Sequence, residues 1–361
     1  MIDLRIGKFV SLIEEKGFDG ALISPSTNFY YLTGLNLHEV GERLTVLAVN
    51  ANGDYHLLAP SLYENVIQGF PTTFWRDGEN AYEKLSWILA DLKLSSGRIL
   101  IEDTMRADWL IGIMRLGNNS FEFHPLSLVM RELRMIKDSQ EIEMMKHAAK
   151  VVDRVFEEVL SWDILGMREK ELALKIELKI RELSDGISFE PIVASGENAA
   201  NPHHAPGERR IRKGDMVILD YGAKVGGYCS DITRTIAVGQ PNEKLIGIYN
   251  VVKEAQENAY RAVREGIKAK EVDRVARETI AKAGYGEYFT HRTGHGLGLD
   301  VHEEPYIGPD GEVVLKNGMT FTIEPGIYVP GLGGVRIEDD VAVIDGRGTR
   351  LTKAERELVV L

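Results

Sequence analysis

VILDYGAKVGGYCSDITRT (residues 217–235) and TFTIEPGIYVPGLGGVRIEDDVAV (residues 320–343) decide how this chain folds. Each reads as two β-rich runs around a glycine-rich turn, Val225-Gly226-Gly227 in the first and Pro330 to Gly334 in the second. Each also carries an acid on either side of its turn: Asp220 with Asp231, and Glu324 with Glu338. If both hairpins are symmetric about their turns, the acids of each pair face one another across the ladder. Like charges in that position are destabilising, because directly opposed Cβ atoms lie roughly 4.5–5.5 Å apart. Two such conflicts in one chain imply a positive charge between the acids, and a pair of divalent cations would supply it.

The histidines point to the same place. Five of the nine, His203, His204, His291, His295 and His302, fall within about a hundred residues of the first acid pair. His295 stands between Gly294 and Gly296, where the missing side chains permit close approach of a ligand. Four carboxylates and an imidazole suit Mn²⁺, Co²⁺, Fe²⁺ or Zn²⁺. Their four charges balance two such ions, and paired ions ~3.5–4 Å apart can activate water and polarise a carbonyl. Any one of these acids alone is more simply read as a turn cap or an arginine partner, with Arg234 and Arg336 close by. The two facing pairs together with the glycine-flanked histidine carry the ligand reading.

Outward from the hairpins, helical patterns at roughly 138–161 and 168–184 precede the first, and others at roughly 242–265 and 270–283 precede the second. A loop-rich stretch, PIVASGENAANPHHAPGERR (191–210), leads into the first hairpin. Residues 130–361 are therefore expected to form an α+β domain, a curved antiparallel sheet covered by helices. Residues 1–125 have a different character. After an apolar helical pattern ended by Gly17 come strand-like GALIS (20–24), NFYYLTG (28–34), LTVLAV (44–49) and YHLLA (55–59). A helical pattern, AYEKLSWILADLK (81–93), and RILIED (98–103) follow. This alternation predicts a small separate α/β domain ending at Pro125.

At 361 residues the chain is long enough for two domains. A formal charge of −12 and a pI near 5.4 argue against nucleic acid or an anionic membrane as partner. A single cysteine, Cys229, rules out a disulfide framework and fits a reducing cytoplasm. The N-terminus reads as an amphipathic helix rather than a signal peptide, and no segment approaches the ~20 apolar residues of a membrane span.

NPHH (201–204), DYGAKVGGYCSDITRT (220–235), GHGLGLDVHEEP (294–305), IEPGIY (323–328) and GGVRIEDD (333–340) are well separated, correctly ordered and jointly specific. In these stretches the chain resembles the pita-bread dinuclear metallopeptidases, specifically the Xaa-Pro peptidases: prolidase (Xaa-Pro dipeptidase) and aminopeptidase P. The resemblance covers the whole chain, since those enzymes carry a smaller N-terminal domain. It implies metal ligands at Asp220, Asp231, His295, Glu324 and Glu338, with Asp231 and Glu338 bridging two ions. It also implies that His203 stabilises the tetrahedral intermediate and that His302 contacts substrate. His291 would line the proline side of the cleft, and Arg336 would orient Glu338. His204 is read as a solvated neighbour of His203, with an exchange of their roles left open, and Cys229 as structural. His38 and Glu39 follow YYLTG; a solvated loop is their simpler reading, although related enzymes are homodimers in which this loop reaches the partner's site.

The implied reaction is hydrolysis of the bond between an N-terminal residue and proline, a tertiary amide without an N–H. Glu324 would take the nucleophile's proton and pass it towards the leaving nitrogen. Some prolidases carry an arginine directly after HE-x-P that can hold the dipeptide's carboxylate; Tyr306 stands there in this chain. The compact length favours a dipeptidase, with an aminopeptidase acting on longer peptides as the alternative. A metal-free creatinase-like hydrolase and a non-catalytic pita-bread binding module both fit a chain that has lost ligands, and all five positions here are filled.

Overall fold

The computed structural model describes residues 2–37, 41–116 and 120–361. The chain divides into two compact units, Met1–Arg134 and Met135–Leu361. No helix among the described residues is long and apolar enough to cross a membrane.

The first unit begins with α1 (Ile2–Glu15), β1 (Gly20–Ile23), α2 (Thr27–Thr33), β2 (Val46–Asn50), β3 (Tyr55–Pro60) and β4 (Thr72–Trp75). It continues through α3 (Ala81–Asp91), β5 (Gly97–Ile101), α4 (Ala107–Leu116) and β6 (Phe121–Pro125). The six strands form one mixed sheet in the order β4-β3-β2-β1-β5-β6. Leu22, Val46 and Leu58 of the sheet pack with Leu85 of α3 and Ile113 of α4. NFYYLTG, grouped above with the strands, is helical. Ser26 accepts a hydrogen bond from the Phe29 N–H, and Gly34, at φ 69°, ends the helix in the left-handed region. These two end signals outweigh the β preference of the aromatic residues between them.

Helix α5 (Ser127–Met135) precedes α6 (Ser139–Val159) and α7 (Glu169–Leu183). Short strands β7 (Gly186–Ile187) and β8 (Ile192–Ser195) come next. The first hairpin comprises β9 (Met216–Tyr221), β10 (Ala223–Val225), β11 (Tyr228–Cys229) and β12 (Ile232–Ala237). Helices α8 (Glu243–Ala262) and α9 (Ala269–Lys282) follow, then β13 (Gly294–Gly296) and β14 (Glu303–Ile307). The second hairpin comprises β15 (Thr320–Ile323), β16 (Gly326–Val329), β17 (Gly333–Arg336) and β18 (Asp339–Ile344), and β19 (Arg347–Arg350) closes its sheet.

The curved sheet is built in segments. Strands β12-β9-β8 form one, β14-β13-β15-β18-β19 another, and β16-β17 a two-stranded ribbon. A single antiparallel bridge, Thr233↔Glu338, links the two hairpins. Each half has its own core. Val152 and Phe156 of α6 and Ile176 of α7 pack on Val217, Leu219 and Ile232. Val252 of α8 and Val272 of α9 pack on Phe321, Ile323 and Val341.

Strand alternation follows from this packing. In β9 the odd-numbered Val217, Leu219 and Tyr221 turn towards the helices, so Asp220 faces the other way. In the second hairpin Phe321, Ile323, Val341 and Val343 face their helices, which leaves Glu324 and Glu338 on the opposite side. Burying the apolar set thus delivers the acids to one surface.

Candidate metal centre

The second hairpin has the symmetry that the sequence predicts. Ile323 pairs with Asp339 in one ladder and Gly326 with Arg336 in the next. The register is the same on both sides, so Glu324 and Glu338 stand opposite one another where the hairpin passes from one sheet to the other. The first hairpin differs. Its turn is the two-residue Gly226-Gly227, with φ of 58° and 83°, flanked by the Val225↔Tyr228 pair. Asp220 therefore pairs with Thr233 and lies diagonal to Asp231 rather than directly across from it.

The five residues named as ligands converge nonetheless. Asp231, His295 and Glu338 offer ligand atoms that all lie within 4.8 Å of one another, and all three are buried. His295 Nε2 lies 3.3 Å from Glu324 Oε1 and 3.7 Å from Asp231 Oδ2. Its Nδ1 is 3.1 Å from the Gly296 carbonyl, which can accept only if Nδ1 carries the proton. Burial, with His302 adjoining, lowers the His295 pKa to about 3. A neutral ring with Nε2 unprotonated points a lone pair at two carboxylates, an arrangement that a cation between them reconciles.

The carboxylates carry the same conflict. Burial and the neighbouring acids raise Asp231 and Glu338 well above the ordinary carboxylate range. Burial pushes Glu324 up to about 7, and it raises Asp220 against the opposing pull of Arg336. Asp220 Oδ1, Asp231 Oδ1 and Glu338 Oε1 are buried and have no hydrogen-bond partner among the described residues. Buried polar atoms in folded proteins are nearly always satisfied. Three orphaned carboxylate oxygens and an imidazole lone pair in one place fit divalent metal ions in chemistry and in charge.

Two other oxygens are held by threonines. Thr233 Oγ1 donates to Glu338 Oε2 at 2.6 Å, and Thr322 Oγ1 donates to Glu324 Oε1 at 3.2 Å. Both threonines sit two residues from a ligand on the same strand face. That period-two spacing is visible in the sequence. Arg336 was expected to orient Glu338. It instead pairs directly with Asp220 and reaches Glu338 only through Thr233, whose hydroxyl accepts from Arg336 Nε at 3.0 Å.

A cavity of about 460 Å³ opens beside the acids, lined by Pro202, His203, His291, Arg292, His302 and Arg336, with Phe189, Ile192 and Val301 as apolar wall. His203 and His302 are exposed to it, and the His302 ring lies 4.2 Å from that of His295. Burial lowers the His302 pKa, so its ring is neutral at neutral pH. His291 is fixed: its Nε2 meets the Tyr328 hydroxyl at 2.8 Å and its Nδ1 meets the Arg292 carbonyl at 2.7 Å. Burial, with Arg336 near, holds its pKa at about 4.

His204 is not the solvated neighbour expected. Its Nε2 lies 2.8 Å from Glu169 Oε2, and the Glu169 side chain is fully buried. Cys229 is buried with its Sγ 3.6 Å from the Leu299 carbonyl, and burial pushes its pKa up to about 12, which makes it structural. His38 and Glu39 lie outside the described residues.

Comparison with known proteins accords with this geometry. Residues 5–136 match the Creatinase/Prolidase N-terminal domain, and residues 143–345 match Metallopeptidase family M24. The Xaa-Pro dipeptidase of Pyrococcus furiosus is 38% identical over 360 residues, covering 98% of this chain and 99% of that protein. A crystal structure of a dipeptidase from Pyrococcus horikoshii OT3 superposes with a TM-score of 0.98 at 74% identity, covering 99% of this chain and 100% of that one. A recombinant prolidase from Thermococcus sibiricus gives a TM-score of 0.96 at 51% identity, covering 99% and 98%. With the fold, the acid-rich centre and both matched regions in agreement, the chain belongs to metallopeptidase family M24, with a creatinase/prolidase-type N-terminal domain.

Proposed function

We propose that this chain is an Xaa-Pro dipeptidase, hydrolysing the bond between an N-terminal residue and a C-terminal proline. The carrying observation is the set of orphaned carboxylate oxygens and the His295 lone pair converging at the wall of a cavity of about 460 Å³. That volume lies in the range of small-molecule sites. The names of the relatives point to the same substrate class.

Asp220, Asp231, His295, Glu324 and Glu338 would hold two divalent ions, Mn²⁺ or Co²⁺ in this reading, with Zn²⁺ or Fe²⁺ also suited to the donors. Bound there, the ions supply a nucleophile at neutral pH and polarise the scissile carbonyl. The rest falls to the chain's own side chains. Among the Asp220, Asp231 and Glu324 carboxylates, Glu324 is the most open, 16% exposed against 11% and 6%, so it is the one placed to take a proton and return it to the leaving nitrogen. His203 and His302 stand on the cavity wall as donors to the charge that develops on the carbonyl oxygen. His291, held by Tyr328, packs at the proline side. Arg336 fixes Asp220 and, through Thr233, Glu338.

Residues 1–125 are assigned to dimerisation and substrate access in a homodimer, and His38 to substrate binding. A cytoplasmic location agrees with the single buried cysteine.

The deciding experiment compares hydrolysis of Leu-Pro with Leu-Pro-Ala-Gly by chelated protein reloaded with Mn²⁺ or Co²⁺. Strong preference for Leu-Pro is expected. Preference for the tetrapeptide would make the enzyme an aminopeptidase, and cleavage of neither would leave a binding module.

A further inference from the structure

The two hairpins meet at successive rungs: Asp231 with Asp340, Thr233 with Glu338, and Thr235 with Arg336. Strand alternation puts these residues on the acid-bearing face, opposite Ile232, Ile236, Ile337 and Val341 of the helix-packed cores. Among the described residues only the middle rung is a backbone pair, in which the Glu338 N–H donates to the Thr233 carbonyl at 3.1 Å. In each outer rung a side chain replaces one of the two backbones. Asp340 Oδ2 accepts from the Asp231 N–H at 3.1 Å. Thr235 Oγ1 accepts from the Arg336 N–H at 3.1 Å and donates to the Arg336 carbonyl at 2.9 Å. One hydroxyl thus does for Arg336 what an opposed residue does in a hydrogen-bonded antiparallel pair. Thr235 is buried, so water is not at hand to take over either bond.

Each rung ties one residue of the centre to a partner on the other hairpin. Asp340 holds Asp231, the Thr233 hydroxyl holds Glu338, and Thr235 holds Arg336, which in turn pairs with Asp220. Resting on the metallopeptidase reading, we infer that these side-chain rungs fix the two ligand sets against one another, and that Thr235 is a positioning residue for the metal centre, acting through Arg336 on Asp220. A side chain inserted between two strands keeps them further apart than direct pairing, whose spacing is about 4.8 Å. The acids on either side of the seam then meet at a separation set by the protein itself. Their like charges oppose that approach, and the rungs hold it.

The test titrates chelated full-length protein with Mn²⁺ by calorimetry, a readout independent of peptide cleavage. Thr235→Val keeps the side chain's shape and removes its hydroxyl, leaving the Arg336 N–H and carbonyl without their partner. Loss of a group that orients metal ligands costs about 10- to 100-fold in affinity, and Thr235→Val is expected to weaken Mn²⁺ binding within that range. Thr235→Ser, which keeps the hydroxyl, should recover most of that loss. A lower melting temperature in Thr235→Val with unchanged Mn²⁺ affinity would mean that the hydroxyl serves only the fold, and would overturn the assignment. Equal losses in Thr235→Val and Thr235→Ser would overturn it too. If Thr235→Val does not fold, hydrogen exchange of the wild type decides. The Asp231 and Arg336 amides should stay protected after chelation; protection that appears only with Mn²⁺ would show that ions, not rungs, set the seam. A wild type that binds Mn²⁺ but cleaves neither Leu-Pro nor Leu-Pro-Ala-Gly defeats the peptidase reading, while the titration still decides Thr235. A wild type that binds no Mn²⁺ defeats both.

Discussion

Glu324 and Asp231 sit in the same cluster, yet substituting them should have opposite visible effects. Glu324 is the more open to the cavity and is assigned the proton transfer, so Glu324→Gln should cut turnover by ~10²–10⁴-fold with the fold intact by circular dichroism. Near-normal turnover in metal-saturated mutant protein would refute the role. Asp231 is buried and held far above its ordinary pKa by burial and its acidic neighbours. Asp231→Asn removes a charge that the metal-free fold resists burying. In chelated protein at pH 8 it should raise the urea midpoint, and in the presence of Mn²⁺ it should abolish the metal-dependent gain. A lower midpoint in both states would mean that the Asp231 charge is already satisfied without metal.

At the scale of elements, the loop carrying His203 is anchored through its neighbour. Glu169, at the start of α7, accepts from the Ser195 N–H at 2.8 Å, the Ser195 hydroxyl at 2.7 Å, Asn198 at 3.1 Å, His204 at 2.8 Å and the Gly207 N–H at 3.3 Å. Glu169→Ala should therefore cost about 3–5 kcal/mol in urea unfolding and lower kcat through a displaced His203. His203→Ala should slow turnover more than His204→Ala, and the reverse order would exchange their roles. The four long helices of the second unit were legible from apolar periodicity, and so was the delivery of acids to one face of both hairpins. Asp220 and Asp231 would face one another only across a turn centred between Val225 and Gly226, whereas the turn is centred one residue further on, between Gly226 and Gly227. Gly-Gly as the two central residues of a tight hairpin turn gives the observed Asp220↔Thr233 pairing.

For the molecule as a whole, the buried acids link metal, pH and stability. Asp231, Glu338 and Glu324 all have folded-state pKa values above their unfolded ones, Glu324 at about 7. Between the ordinary carboxylate value near 4 and those raised values, the folded state binds more protons than the unfolded state, so stability falls as pH rises. Chelated protein should accordingly lose more than about 5 °C in Tm from pH 5 to pH 8, whereas metal-loaded protein should change little; parallel profiles would show that ions do not neutralise this cluster. The proposed ligands also come in two sets on two separate cores: Asp220 and Asp231 with α6 and α7, His295, Glu324 and Glu338 with α8 and α9. Under the proposed metal reading, ions shared between the sets would act as rivets across the seam of the pita-bread unit, so parting the halves would require releasing them first. Heat inactivation would then become a race set by metal escape. A trace of chelator should shorten the half-life at high temperature even where it leaves the initial rate untouched.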